Sequence, residues 1–171
     1  VYIDMSAYEP RGGEPSMFVA APVYLNGEFK SVLVYKIDNK NIHDIMFFRS
    51  GYSETQEDYL VGSDYLMRSD SYIAPTTHSL IQSFRHPETG TVKNPPGSDA
   101  LKGNSNTIII DDYRGIRVLS SYREFKIDDN LSWAMIAEID ESEVLETPNK
   151  LKNTLILLTA ITLLIVIALL Y

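Results

Sequence analysis

The sequence predicts an α+β fold in which antiparallel sheets are flanked by helices and followed by a C-terminal transmembrane helix. Apolar and polar residues alternate in several short segments separated by turn residues, which is the pattern of hairpin-connected strands. Residues 154–171 form an uninterrupted uncharged run, TLILLTAITLLIVIALLY. Its length is at the lower end of the about 20 apolar residues that cross a hydrocarbon core as a helix. A domain of this size cannot surround such a helix, so we expect lipid around it.

The first strands are predicted at residues 16–24 and 29–37, and a tight turn joins them. The dipeptide Asn26-Gly27 between them favours the positive φ angles of a type I′ hairpin turn. A short helix is predicted at residues 40–48, because apolar residues recur there at helical spacing.

A polar stretch after Arg49 interrupts the pattern, and we place a module boundary there. Residues 59–61 and 66–71 are predicted to pair as a hairpin. Residues 74–106 are irregular and rich in Pro, Gly, Ser and Asn, with one helix predicted near residues 77–84. A connection of that length is more often a functional lid than a plain linker. Three further strands are predicted to complete an antiparallel sheet: residues 107–112, 116–124 and 132–139.

The last strand is predicted to continue into a helix that carries the chain to the membrane. Asp140 and Glu143 form a capping pair at the start of that helix. Pro148 indicates a kink or a restart, because proline is comfortable only in the first turn of a helix. From Pro148 to Tyr171 the helix would be about 36 Å long at about 1.5 Å per residue. A stiff rod of this kind can transmit a displacement, whereas a flexible linker cannot.

Composition argues against several classes of function. A net charge of −8 and the lack of clustered Lys and Arg argue against nucleic-acid binding, which requires neutralisation of phosphates. The chain has no Cys, and its three His lack the spacing of metal-binding motifs. It also has no Gly-rich phosphate loop and no G-x-S-x-G elbow. We therefore expect no catalytic residues, no metal site and no cofactor in this chain.

A binding pocket has better support than a catalytic site. Arg68 and Asp70 would share one face of their predicted strand. Tyr113 and Arg114 would lie at a hairpin end, and Tyr122 on the following strand. An antiparallel sheet with a long loop folded over one face can hold a small anion or polar ligand among such side chains. The alternative is that Arg68 and Asp70 pair with each other on a solvated surface.

The segment YLVGSDYLMRSDS at residues 59–71 resembles a motif of the extracytoplasmic double Cache (PAS-like) sensor domains. Such domains belong to bacterial chemoreceptors, sensor kinases and membrane cyclases. Further stretches agree in order and spacing and bring the resemblance to nearly the whole polar part. They are FVAAPV at 18–23, SVLVYKI at 31–37, IHDIM at 42–46, DYRGIRVLSSY at 112–122 and WAMIAEID at 133–140.

The resemblance implies a fragment of a longer receptor. Its polar part would lie outside the cytoplasmic (inner) membrane, although two lysines before the apolar run weakly favour the opposite orientation. The missing output would be cytoplasmic: chemotaxis signalling first, with a histidine kinase or nucleotide cyclase as alternatives. The resemblance suggests a homodimer, and a ligand-free protein-contact or dimerisation domain is a hypothesis of a different class. The implied parts are residues 1–48 (end of a first, membrane-distal module), 49–140 (membrane-proximal module), 141–153 (juxtamembrane helix) and 154–171 (transmembrane helix).

The resemblance also bears on the ligand. In the amino-acid-binding members of this family, the strand corresponding to residues 31–37 carries an Asp that holds the ligand's ammonium group. Lys36 stands at that position here. Because a lysine repels a cation and attracts an anion, we expect an anionic or neutral small molecule, such as a carboxylate. The candidate ligand-binding residues are Tyr8, Tyr35 and Lys36 in the first module and Arg68, Asp70, Tyr113, Arg114 and Tyr122 in the second.

Overall fold

The computed structural model describes residues 1–170, which form two antiparallel sheets connected by a short helix. The first sheet has the strand order β1–β2–β3. A 3₁₀ turn, Glu9–Arg11, joins its first two strands. The strands are β1 (Tyr2–Tyr8), β2 (Glu14–Leu25) and β3 (Glu28–Ile37).

The turn between β2 and β3 confirms the predicted tight hairpin. Asn26 and Gly27 have φ angles of 52° and 81°, as a type I′ turn requires. The hairpin is exposed on both faces along β3, where the neighbouring residues Leu33 and Val34 are 65% and 55% exposed. β3 is also an edge strand, so its outer backbone groups have no strand beside them.

Helix α1 (Asn39–Met46) connects the two sheets. It begins after Asp38, whose side chain accepts a hydrogen bond from the backbone N–H of Lys40 at 3.0 Å. The helix ends two residues before the predicted boundary at Phe48. Its apolar side, including Ile42, packs between the sheets.

The second sheet has the strand order β4–β7–β6–β5, and all neighbouring strands are antiparallel, as predicted. A long connection at residues 62–105 joins β4 to β5 and covers one face of the sheet, which we call the inner face. The strands are β4 (Glu57–Val61), β5 (Asn106–Asp111), β6 (Arg117–Lys126) and β7 (Ser132–Asp140). The helices of the connection are α2 (Leu80–Arg85), α3 (Pro87–Gly90) and α4 (Pro95–Ala100).

The hairpin predicted at residues 59–61 and 66–71 is wrong, because residues 66–71 do not form a strand. Only an isolated bridge links Val61 to Met67. Side-chain hydroxyls replace the missing ladder: Ser69 Oγ accepts from the N–H of Leu60 at 2.9 Å, and Ser83 Oγ accepts from the N–H of Met67 at 3.1 Å. These local bonds satisfy the backbone without a second strand.

Two apolar clusters lie on opposite faces of the second sheet. Burying each large apolar side chain contributes about 1.5–3 kcal/mol, so these clusters are the main source of stability. On the outer face, the first sheet and α1 cover part of the second sheet. The inner cluster contains Tyr59, Val61, Met67, Val92, Ala100, Tyr122, Ala134 and Ile136, and the outer cluster contains Met5, Met17, Leu60, Leu80 and Trp133.

β7 leads directly into α5 (Glu141–Val144) and then α6 (Glu146–Leu170). The restart predicted near Pro148 therefore falls just before it, and the proline lies in the first turn of α6. α6 is long and apolar enough to cross a membrane: its most apolar window has a mean hydropathy of 2.6 and none of it is buried. Asp140 occupies the predicted N-cap position of α5, but its side chain makes no capping hydrogen bond, so the predicted capping pair with Glu143 does not form.

Candidate functional site

The first sheet brings two of its three candidate residues to one face. Lys36 on β3 lies directly opposite Phe18 on β2, so their side chains share a face. The ring of Tyr8 packs edge-on against Phe18, with a centroid separation of 5.2 Å. Tyr35 is adjacent to Lys36 in the strand and therefore points to the opposite face. A lysine beside two aromatic rings is suited to a small anion with an apolar part.

Arg68 lies at the junction of the two sheets rather than in an open pocket, and its side chain is 1% exposed. Its Nε and Nη2 donate to the two carboxylate oxygens of Asp4 on β1, at 3.0 and 2.8 Å. Nη2 also donates to Asp64 at 3.0 Å, and Nη1 to the carbonyl of Leu66 at 3.0 Å. Asp4 further accepts the indole N–H of Trp133 at 2.9 Å. Arg68 therefore joins β1 to the second sheet.

The environment of Asp4 is consistent with this role. Burial alone would raise the pKa of Asp4, but the hydrogen bonds and charge of Arg68 outweigh it. The pKa of Asp4 is consequently held below its ordinary value. The Arg68 guanidinium also packs closely against Gly62. A Cβ added to Gly62 would lie 2.2 Å from that guanidinium, so a larger residue does not fit there.

Asp70 does not pair with Arg68, so the alternative of a mutual surface pair is wrong. One carboxylate oxygen of Asp70 accepts from the N–H of Leu80, at the start of α2, at 2.7 Å. The other lies 3.1 Å from Nδ1 of His43 on α1. Asp70 therefore ties the β4–β5 connection to the helix between the sheets.

Tyr113 belongs to a buried polar cluster on the inner face, which we call the Glu57 cluster: Glu57, Ser71, His78 and Tyr113. The hydroxyl of Tyr113 contacts one oxygen of Glu57 and lies 2.7 Å from Ser71 Oγ. Ser71 Oγ donates to the other oxygen of Glu57 at 2.7 Å. His78 stacks on the ring of Tyr113 at 4.1 Å.

Glu57 also anchors the β4–β5 connection. Its Oε2 accepts from the backbone N–H groups of Tyr72 and Ile73, at 3.0 and 3.2 Å. Sequence reasoning missed Glu57 because it lies in a segment that was interpreted as a polar break. Glu138, its neighbour on β7, was also missed, although its position in an alternating strand beside Ala134 and Ile136 placed it on the buried face.

Arg114 and Tyr122 are each engaged elsewhere. Arg114 donates to Asp112 at 2.5 Å and to Asp140, at the end of β7, at 2.7 Å. Burial disfavours its charge, but these two carboxylates outweigh burial and raise the pKa of Arg114. The hydroxyl of Tyr122 donates to Asp99 at 2.8 Å. The five candidates of the second sheet thus lie in separate polar networks and do not line one cavity.

The space between the inner face and the β4–β5 connection is filled by side chains. Tyr59, Val61 and Ile136 from the sheet and Val92 from the connection are at most 1% exposed. A polar cleft of about 870 Å³ separates residues 49–55 from the start of α6, and an apolar groove of about 330 Å³ lies between the sheets and α1. Within residues 1–170, no group of three or more His, Cys, Asp or Glu side chains could hold a metal ion.

No protein-family model matches the sequence, and no curated protein matches it. Solved structures do match. The periplasmic sensory domain of the Campylobacter jejuni chemoreceptor Tlp1 gives a TM-score of 0.56 at 17% identity, covering 77% of this chain and 45% of that one. The extracellular domain of the putative histidine kinase mmHK1S-Z3 gives 0.56 at 16% identity, covering 88% of this chain and 52% of that one.

A third match is the ligand-binding domain of the Pseudomonas aeruginosa PAO1 amino acid chemoreceptor PctC, in complex with GABA. It gives a TM-score of 0.50 at 15% identity, covering 82% of this chain and 55% of that one. The chain therefore spans about half the length of these structures. At these identities the likeness concerns the fold, and it agrees with the resemblance carried by the motifs. The chain has the fold of the Cache-type extracytoplasmic sensor domains of chemoreceptors and histidine kinases.

Proposed function

We propose that this chain is the ligand-sensing region of a transmembrane signalling receptor, with chemotaxis as its first candidate output. The observation that carries the proposal is the direct passage from a sensor fold into a membrane-length helix: β7 continues through α5 into α6. The sensor would lie outside the cytoplasmic membrane, and the chain itself would not be an enzyme. A ligand changes the output only through its different affinities for two arrangements of the sheets and the helix.

Two polar links connect the sensor to the helix. Glu143 on α5 accepts from the backbone N–H groups of Glu54 and Thr55, at 3.0 and 2.8 Å. Arg114 binds Asp140 at the end of β7. Because both links act on the residues just before α6, a rearrangement of the second sheet would be passed to that helix.

The face around Lys36 is the best candidate for a small-molecule site, and we propose an anionic or neutral ligand there. Lys36, Phe18 and Tyr8 share this face, so a carboxylate would meet a positive charge and an apolar wall. The inner face of the second sheet is already filled by side chains. This supports a ligand site in the proposed first module, residues 1–48, rather than in the second, residues 49–140.

The filled interior also supports a second hypothesis, a ligand-free domain that acts by protein contact or dimerisation. A homodimer is part of both hypotheses. The two differ in what changes the output: a small molecule in the first case, a second protein in the other.

The test fuses the chain through its last helix to the cytoplasmic part of a characterised chemoreceptor and measures kinase activity in membranes. We expect small organic acids to change that activity. Lys36→Glu should abolish the response, whereas Lys30→Glu, in the same strand but near the hairpin turn and paired with Glu28, should retain it. Tight calorimetric binding of an ordinary amino acid to the purified chain would contradict the proposed ligand class. A response only to a second protein would favour the contact hypothesis.

A further inference from the structure

Two glutamates face each other inside the second sheet. Glu57 on β4 and Glu138 on β7 are direct cross-strand partners, so their side chains lie on the same face. Glu57 is 1% exposed and Glu138 is 2% exposed. Like charges placed directly opposite each other in a sheet are destabilising, and burial increases that cost.

Positive charges do not compensate the pair within residues 1–170. Arg114 follows Tyr113 of the Glu57 cluster in the sequence, but its guanidinium is bound to Asp112 and Asp140. Glu138 instead accepts hydrogen bonds from the hydroxyls of Tyr59 and Ser120, at 2.9 and 2.8 Å. The titratable and charged groups around the pair are Tyr59 from β4, Asp112, Tyr113 and Arg114 from the β5–β6 turn, and His78 from the β4–β5 connection.

Four donors hold the Glu57 side chain in place beside Glu138. The hydroxyls of Tyr113 and Ser71 donate to its two different oxygens. The backbone N–H groups of Tyr72 and Ile73 also donate to Oε2. The carboxyl group of Glu57 therefore cannot move away from its cross-strand neighbour without breaking these bonds.

The electrostatics agree with the geometry. Burial raises the pKa of Glu138 to about 7, against the hydrogen bonds from Ser120 and Tyr59, which lower it. The charges of Asp112 and Glu57 raise it further. His78 does not supply a compensating charge, because burial lowers its pKa in spite of nearby carboxylates.

We propose that Glu138, placed opposite the buried carboxyl group of Glu57, is a proton-binding site through which this sensor responds to extracytoplasmic pH near neutrality. Glu138 holds a proton at lower pH, and loss of that proton leaves a buried negative charge directly opposite Glu57. Glu57 holds the backbone of Tyr72 and Ile73, while Glu138 lies two residues before the end of β7. Loss of the proton therefore loosens the β4–β5 connection and the strand that leads to α6. The signalling consequence depends on the proposed function, but proton binding itself does not.

The test is a ¹³C NMR titration of the full chain in detergent micelles, with glutamate labelled at the side-chain carboxyl. We expect one carboxyl resonance to titrate between about pH 6 and 8, well above an ordinary glutamate. Glu138→Gln should abolish this neutral titration, and Glu57→Gln, which removes the neighbouring charge, should lower the pH at which Glu138 titrates. Glu124→Gln, in the same sheet but beside Lys126, should leave the neutral titration in place.

The site is refuted by a wild-type chain in which every glutamate titrates below about pH 5.5. It is equally refuted by a neutral titration that stays unchanged in both Gln variants. If one Gln variant fails to fold, as judged by circular dichroism, the other still decides the question, because Glu138→Gln should abolish the neutral titration and Glu57→Gln should lower it. These results do not depend on a signalling output. A receptor fusion that ignores pH while the purified chain titrates as expected would instead contradict the link to signalling.

Discussion

Removal of the Asp4 carboxylate should weaken the contact between the two sheets and lower the free energy of unfolding. Asp4→Ala deletes two charge-assisted hydrogen bonds from Arg68 and one from the indole of Trp133. Breaking one side of a buried ion pair costs about 3–5 kcal/mol, because the other charge stays buried. The side chain of Asp4 is 26% exposed and Arg68 keeps Asp64, so we expect the lower end. The free energy of unfolding should fall by about 3 kcal/mol.

Urea unfolding of the chain in micelles, followed by far-ultraviolet circular dichroism, measures this loss. A loss of about 3 kcal/mol corresponds to a fall in melting temperature of about 6–12 °C for a chain of this size. Asp44→Ala is the matched control, because Asp44 forms an exposed pair with Lys40 on α1. That control should change the free energy of unfolding by less than about 0.5 kcal/mol. An Asp4→Ala variant within about 1 kcal/mol of the wild type would show that Arg68 does not hold the sheets together.

Three further substitutions test other parts of the structure. Because the pKa of Glu138 is raised from 4.5 to about 7 on folding, its contribution to stability is present below pH 4.5 and is lost as pH rises to about 7. Glu138→Gln should therefore gain up to about 3 kcal/mol relative to the wild type between those pH values, measured by urea unfolding; a difference independent of pH would contradict this. Gly62→Ala should lower the melting temperature, since the new Cβ meets the fixed Arg68 guanidinium; an unchanged melting temperature would show that Arg68 can move aside. Glu143→Gln should speed hydrogen exchange at the N–H of Thr55, and unchanged exchange would argue against this link.

Local signals in the sequence predicted local structure well. The Asn26-Gly27 turn and the alternating strands β6 and β7 needed only neighbouring residues, and the structure contains them. The error at residues 66–71 has a different cause. Those residues look like a strand, but side-chain hydroxyls from Ser69 and Ser83 satisfy the backbone there. Such bonds cannot be recognised from an apolar pattern.

The candidate site depended on long-range contacts, which a single sequence does not reveal. The Arg68–Asp4 pair joins residues 64 positions apart, so Arg68 was expected in an open pocket. The same holds for Glu57 and Glu138, which meet only because β4 pairs with β7. The membrane-length helix, in contrast, could be predicted from composition alone.

The unbroken path from β7 through α5 into α6 has a mechanical consequence. α6 is about 38 Å long at about 1.5 Å per residue, and a helix of that length is nearly incompressible along its axis. The most flexible point between β7 and the membrane would therefore be Leu145, the single residue between α5 and α6. The bonds of Asp140 and Glu143 brace the chain just before that point. In the proposed receptor, these bonds would determine how much movement passes from β7 to α6, so loosening them would weaken the signal without changing the ligand site or the membrane helix.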